Sequence, residues 1–218
     1  MTDVRVQECA DPLALVEHVA SSACSLPSDV HIALTGGRAG TAITSEIVRQ
    51  RTTPVQLWFS DERFVPSHSA ERNDHVVSPA LGIPHFVHIN RVLGSDECVD
   101  VAAAARDYRA QVESVALTRR LELVILSIGP DGHIASLFPG HRLLRESAAA
   151  VVEITDSPKP PPQRVTWTLP LINCAKRVWL IAAGTEKDSM VQRVIAGDES
   201  IPASCVRGQE ETVLYRCP

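Results

Sequence analysis

Apolar residues in this chain fall into short unbroken runs separated by stretches with apolar positions three or four apart. The clearest runs span residues 30–34, 55–60, 123–128 and 177–183. Too short for helices and almost without alternation, they read as strands buried on both faces, as inside a parallel sheet. The helical spacing predicts helices over 11–25, 42–51, 71 to about 81, 97–118 and from Gly184 to about 195. Within the fourth of these, the alanines at 102–105 suit close packing of helix on sheet. Shorter strands are expected at 4–6, 86–89 and 149–154, with a last edge strand at 212–216. A further strand at 164–169 alternates so that Arg164 and Thr166 share a face. The recurring strand-then-helix order predicts a three-layer α/β/α fold with a mainly parallel sheet, one domain spanning residues 1–218. The stiff run Pro158-Lys159-Pro160-Pro161-Pro162 has core strands on both sides, so it reads as a surface loop within that domain.

Polar residues gather where these strands end. In open α/β sheets ligands bind at the carboxyl ends of the strands. The strand at 30–34 runs into Thr35-Gly36-Gly37-Arg38-Ala39-Gly40 and then a helix. Glycines followed by a helix N-terminus form a cradle for an anion, although a tight turn needing positive φ would read the same way. Neither the Walker spacing nor GxGxxG is present, so no nucleotide class is indicated. The strand at 55–60 ends at Asp61-Glu62-Arg63, which alone would suggest a surface ion-pair cluster. The strand at 123–128 ends at Gly129-Pro130 and delivers Asp131, Gly132, His133 and Ser136. Asp131 as a helix cap, with His133 a polar first-turn residue, is the plainer reading of that segment. Lys187, near a helix N-terminus, opposes the macrodipole; it is either simply solvated or faces an anion.

One edge thus collects Gly36, Gly37, Arg38, Asp61, Arg63, Asp131, His133 and Lys187, with Arg164 a further candidate. A cradle, several cations and an Asp/His pair suit acid–base chemistry on a small phosphorylated molecule. A histidine with an unperturbed pKa of about 6.5 can take a proton from water near neutrality. Hydrolysis would also require something to stabilise the developing oxyanion. Neither a GxSxG serine elbow nor an HExxH zinc motif is available as a substitute.

Composition narrows the partners. With 44% hydrophobic and 22% charged residues the chain has globular proportions. A net charge of −5 argues against a nucleic-acid partner held by a general basic surface, but not against a small anion. No apolar stretch approaches the roughly 20 residues of a membrane span, and the N-terminal sequence lacks the order of a secretion signal. Cys9, Cys24, Cys98, Cys174, Cys205 and Cys217 are scattered without metal-ligand spacing. They read as reduced side chains of a cytoplasmic protein with no metal site and no membrane partner. His75, His85 and His141 are expected on the surface.

The segments LTGG, SDERFVP, GPDGHIASLFPG, RVTWTLP and GTEKDSMV stand in this order over nearly the whole chain. Together they resemble the glucosamine-6-phosphate isomerase/6-phosphogluconolactonase family, and its lactonase branch in particular. The resemblance implies a fold of the NagB/ribose-5-phosphate isomerase/CoA-transferase-like kind. It also implies hydrolysis of 6-phosphoglucono-δ-lactone, a phosphorylated sugar lactone, in the oxidative pentose phosphate pathway, without a cofactor. By motif position, His133 would be the general base activating water and Asp131 would orient it. Asp61 and Arg63 would line the sugar and carboxyl-bearing end, while Gly36, Gly37, Arg164 and Lys187 would hold the phosphate.

Two departures matter. Arg38-Ala39-Gly40 stands where the family commonly has Ser-Thr-Pro, which removes two hydroxyls and makes Arg38 the candidate to compensate. Arg72-Asn73 stands where Ser-Asn is frequent, so Asn73 is carried over and Arg72 becomes a further candidate for the phosphate. A deaminase-type isomerase is the nearest alternative, but the position of its relay glutamate, five after the histidine, is Phe138. Its Asp-Glu-Tyr is also replaced, by Asp61-Glu62-Arg63. A non-catalytic sugar-phosphate sensor is the other alternative, and it would be expected to carry a DNA-binding segment. Oligomeric state and closure of the 158–162 loop are not legible.

Overall fold

The computed structural model describes residues 4–77 and 82–218. In chain order the elements are β1 (Arg5–Glu8), α1 (Pro12–Cys24), β2 (Val30–Leu34), α2 (Gly37–Gln50), β3 (Val55–Phe59) and β4 (Asp61–Arg63). Then come β5 (Val87–Ile89), α3 (Val101–Ser114), β6 (Leu121–Ser127), β7 (Val151–Ile154) and β8 (Arg164–Trp167). The chain finishes with α4 (Leu169–Ile172), β9 (Arg177–Ala183), α5 (Asp188–Ile195) and β10 (Glu211–Cys217).

Seven strands form one sheet in the order β1-β10-β9-β6-β2-β3-β5, and neighbouring strands are parallel throughout. Its central strands β2, β3, β6 and β9 are largely apolar on both faces because both are covered. On one side α1 and α2 bury Leu15, Val19, Ile43 and Ile47 against Ile32, Leu34, Leu57 and Ile181. On the other, Ala104, Tyr108, Val191 and Val194 of α3 and α5 pack on Trp58, Val124, Leu126 and Leu180. The chain moves outward from β2 through β3 to β5, while β6, β9 and β10 lie on the other side. The order therefore reverses between β2 and β6, and a crevice opens beyond their carboxyl ends.

The three layers and the parallel sheet agree with expectation; several details do not. The segment expected as a strand at 164–169 leaves the main sheet, and β8 sits in a three-stranded antiparallel sheet, β4-β8-β7. This small sheet shares the outer layer with α3, against which Val165 and Trp167 are fully buried. The C-terminal strand is not at an edge, because β10 lies between β1 and β9 and the edge belongs to β1. The helix expected over 97–118 begins only at Val101, where the Asp100 side chain accepts the Ala103 N–H. It ends at Ser114, just before Ala116 in the left-handed region. The expected helix from 71 is a 3₁₀ turn, Asn73–Val77, and the rest of its span, 78–81, lies outside the described residues.

The fully buried Ala104 and Ala105 fit the close packing expected there. Among the described residues no helix is long and apolar enough to cross a membrane. His75 and His85 are exposed as expected. His141 is instead half-buried, its Nε2 3.1 Å from Asp156 and its Nδ1 accepting the Leu143 N–H.

Candidate active site

The glycine turn is the start of a helix. α2 opens at Gly37, five residues earlier than its periodicity suggests, with Gly36 as its N-cap. Gly37 takes a φ of +79°, which a side chain would oppose. A Cβ on Gly36 would lie 2.0 Å from Asn73 Oδ1, so only glycine lets that asparagine approach. No side chain caps α2, so its first N–H groups are left for a ligand or water. Lys187, at the start of α5, lines the same space. Burial pulls its ammonium below the usual lysine value; Glu186 opposes this and Arg38 adds to it.

The central cleft, about 210 Å³, is bounded by Gly36, Gly37, Asp61, Arg63, Asn73, Ser127, His133, Arg164 and Lys187. A neighbouring space of about 450 Å³ shares Gly37, Ser127 and Lys187 with it and adds Arg38 and Glu186. Arg38 thus lines the neighbouring space and not the central cleft.

Beyond β6 there is no helix for Asp131 to cap. The chain instead makes a tight turn in which the Gly129 N–H donates to His133 O (2.8 Å) and the Gly132 N–H to Gly129 O (2.9 Å). This folds the imidazole back over Gly129, where an added Cβ would sit 1.9 Å from His133 Nδ1 and Cε1. His133 Nδ1 is hydrogen-bonded to Asp131 Oδ1, and the ring stacks on Phe138 with centroids 4.8 Å apart. Burial holds His133 below its ordinary value; the hydrogen bond and charge of Asp131 oppose this, and Lys159 reinforces it. Asp131 is also lowered: burial would raise it, but contact with His133 and the charge of Lys159 outweigh that. In the tautomer that donates Nδ1–H to Asp131, Nε2 carries the lone pair, and burial favours this neutral ring.

Asp61 enters through the second sheet. Its Oδ2 accepts from Ser136 Oγ (2.6 Å), Asn73 Nδ2 donates to its main-chain oxygen (2.8 Å), and Arg164 Nη1 is 3.8 Å away. Arg164 was expected on the phosphate, yet its donors are turned elsewhere. Nε donates to Pro161 O, Nη1 to Ser136 Oγ, and Nη2 to Lys159 O and Pro160 O. Arg63 lines the cleft, with Nη1 donating to Glu71 O.

Arg72 is a correction. Its side chain is fully buried outside the cleft, paired through Nε and Nη2 with Asp74 at 2.8 and 2.7 Å, and bonded to Val92 O. The 3₁₀ turn sends neighbouring side chains in opposite directions, so Asn73 faces the cleft and Arg72 the interior. Buried Glu62 secures that turn by accepting the N–H groups of Asn73 and Asp74.

Two groups at the site, Ser127 in the cleft wall and Lys159 beside Asp131, had no sequence signal of their own. Ser127 is the last residue of an apolar run, and Lys159 sits inside the proline run with its Nζ 3.3 Å from Asp131 Oδ1. Among the described residues no cluster of His, Cys, Asp or Glu is arranged to hold a metal ion.

Fold and cleft together put the chain among α/β enzymes with a ligand cleft at the switch point of a parallel sheet. The family described as glucosamine-6-phosphate isomerases/6-phosphogluconolactonase matches residues 6–215, and the chain belongs to it. It is 35% identical over 201 residues to a 6-phosphogluconolactonase of Streptomyces coelicolor, covering 84% of this chain and 77% of that one. To the 6-phosphogluconolactonase of Homo sapiens it is 34% identical over 224 residues, covering 94% and 84%. The crystal structure of 6-phosphogluconolactonase from Thermotoga maritima is similar with a TM-score of 0.82 and 26% identity, over 99% of this chain and 100% of that one.

Proposed function

We infer that the chain hydrolyses 6-phospho-D-glucono-1,5-lactone to 6-phosphogluconate, the lactone-opening step of the oxidative pentose phosphate pathway. The observation that carries this reading is His133 in the cleft, hydrogen-bonded through Nδ1 to Asp131, with burial favouring its neutral ring. Nε2 takes a proton from water as its oxygen attacks the lactone carbonyl carbon. The tetrahedral oxyanion collapses, the ring C–O bond breaks, and the imidazolium returns the proton to the leaving ring oxygen. Arg63, with Asp61 beside it, lines the carbonyl end. The phosphate lies at the N-terminus of α2, beside Lys187, with Arg38 in the adjoining space. Backbone N–H groups there stand in for the hydroxyls this glycine loop lacks. Arg164 supports the site from behind, with most of its donors already engaged.

Phe138 argues against the deaminase branch, because the side chain stacked on His133 carries no transferable proton. A net charge of −5 argues against nucleic acid held by a general basic surface and does not exclude a small anionic substrate bound by a local cluster of cations. Six free cysteines agree with a cytoplasmic, reducing setting.

The test is turnover of freshly made lactone, read by coupled oxidation of the product, with the unaided opening rate subtracted. His133→Ala is expected to lower kcat by about 10²–10⁴-fold. Full activity in that variant removes the general base. Ammonia and fructose 6-phosphate formed from glucosamine 6-phosphate would support the isomerase instead, and binding without turnover the sensor.

A further inference from the structure

The loop between β7 and β8 carries a lysine into the base. Its backbone is bonded over most of its length. Ser157 N–H donates to Pro162 O (3.1 Å), and Ser157 Oγ to Lys159 O (2.9 Å). The guanidinium of Arg164 then takes three successive carbonyls, Lys159 O (3.1 Å), Pro160 O (2.9 Å) and Pro161 O (3.1 Å). Arg164 is itself buried and anchored through Nη1 to Ser136 Oγ, which in turn donates to Asp61. The lysine therefore leaves from a fixed point, and its Nζ lies 3.3 Å from Asp131 Oδ1 and 3.2 Å from His133 Nδ1.

A carboxylate bonded to an imidazole does two things at once. It selects the tautomer and the ring's orientation, and it favours the imidazolium over the neutral ring. The second effect works against a general base, which must begin neutral. A cation on the same carboxylate oxygen divides the negative charge between two partners and, being beside the ring, opposes its protonation. We propose that Lys159 is a positioning residue for the base: held by the Arg164-bound loop, its ammonium shares Asp131 with His133, so that Asp131 orients the imidazole without charging it.

The influences on His133 oppose one another. Lys159 and burial favour the neutral ring, whereas Asp131 and, more weakly, Asp61 favour the charged one. Arg63, Arg164 and Lys187 line the same cleft and carry positive charge. Arg164 thus acts on the reaction through the loop, which accounts for a cation in the cleft wall whose donors point away from a substrate. The inference rests on His133 being the base, and its test separates the two.

His133 would be titrated by NMR in chain labelled at histidine, its resonance assigned by its absence from His133→Ala. Wild type would be compared with Lys159→Met, Lys159→Gln and Lys159→Arg. The titration midpoint is expected to move to higher pH in the Met and Gln variants and to stay near wild type in Arg. The acidic limb of kcat/KM should move the same way, costing roughly tenfold in rate at a fixed acidic pH for each unit of movement. The alkaline plateau should change less. A midpoint unmoved or lowered in both neutral variants overturns the proposal, as does a loss that is equal at all pH values and equal in Lys159→Arg. If the midpoint rises as expected but the wild type does not hydrolyse the lactone, the role of Lys159 stands and the lactonase reading fails.

Discussion

His133 is confined on several sides. Asp131 holds Nδ1, Phe138 covers one face, and Gly129 lies directly beneath the ring edge. Glycine at 129 is required by contact, since its own φ is not in the left-handed region and any Cβ would collide with Nδ1 and Cε1 at 1.9 Å. The histidine is the softer partner, so Gly129→Ala should rotate the ring away from Asp131 while leaving the fold intact. Lactonase kcat is expected to fall by about 10²-fold or more, because misplacement of a reacting group by about 1 Å has that cost. A variant with an unchanged melting temperature and unchanged kcat would show that ring placement is not limiting.

At the scale of elements, the site depends on how β3 hands the chain to the second sheet. Ser60 stands at the junction: its N–H and Oγ both donate to Leu34 O, and its own carbonyl accepts the Trp167 N–H. Asp61 follows directly in β4, so this crossing aims it into the cleft. Tyr108 of α3 braces the residue before the junction, accepting the Phe59 N–H at 2.9 Å and donating to Phe59 O at 3.1 Å. Burial pushes its hydroxyl well above the ordinary tyrosine value, so it stays neutral and can serve both bonds. Tyr108→Phe leaves two buried backbone groups unpaired and is expected to cost about 1–3 kcal/mol. Equilibrium urea denaturation measures this as a lower midpoint at unchanged slope. No change in midpoint would mean that water or a shift of β3 replaces the hydroxyl.

Across the whole molecule, a chain of net charge −5 concentrates positive charge at one crevice. Arg38, Arg63 and Lys187 stand around the open N-terminus of α2, at the carboxyl end of the sheet. Such a local field attracts an anion despite repulsion from the rest of the surface, and salt weakens it. Raising ionic strength from about 0.01 M to about 0.5 M should therefore raise KM several-fold with little change in kcat. Lys187→Ala should raise KM on its own and flatten that salt dependence. A KM indifferent to both salt and the substitution would move the phosphate away from α2.

The runs of apolar residues and the turns that end them were enough to give the strand–helix order, the parallel sheet and the edge where chemistry collects. They also singled out His133, Asp131, Asp61 and the glycine loop, because strand ends and turn residues are read from neighbours in the chain. Contacts between distant segments decided the rest. The local pattern of β8 would suit either sheet, and only its antiparallel register with β4 and β7 removed it from the parallel one. Arg72 and Asn73 are adjacent in sequence, but the turn held by Glu62 sends one into the core and the other into the cleft. Lys159 reaches Asp131 and His133 from a loop whose carbonyls Arg164 gathers, a contact between segments distant in sequence. Periodicity and turn chemistry are local properties of a sequence; the direction of a side chain and the partner of a strand are settled by long-range packing.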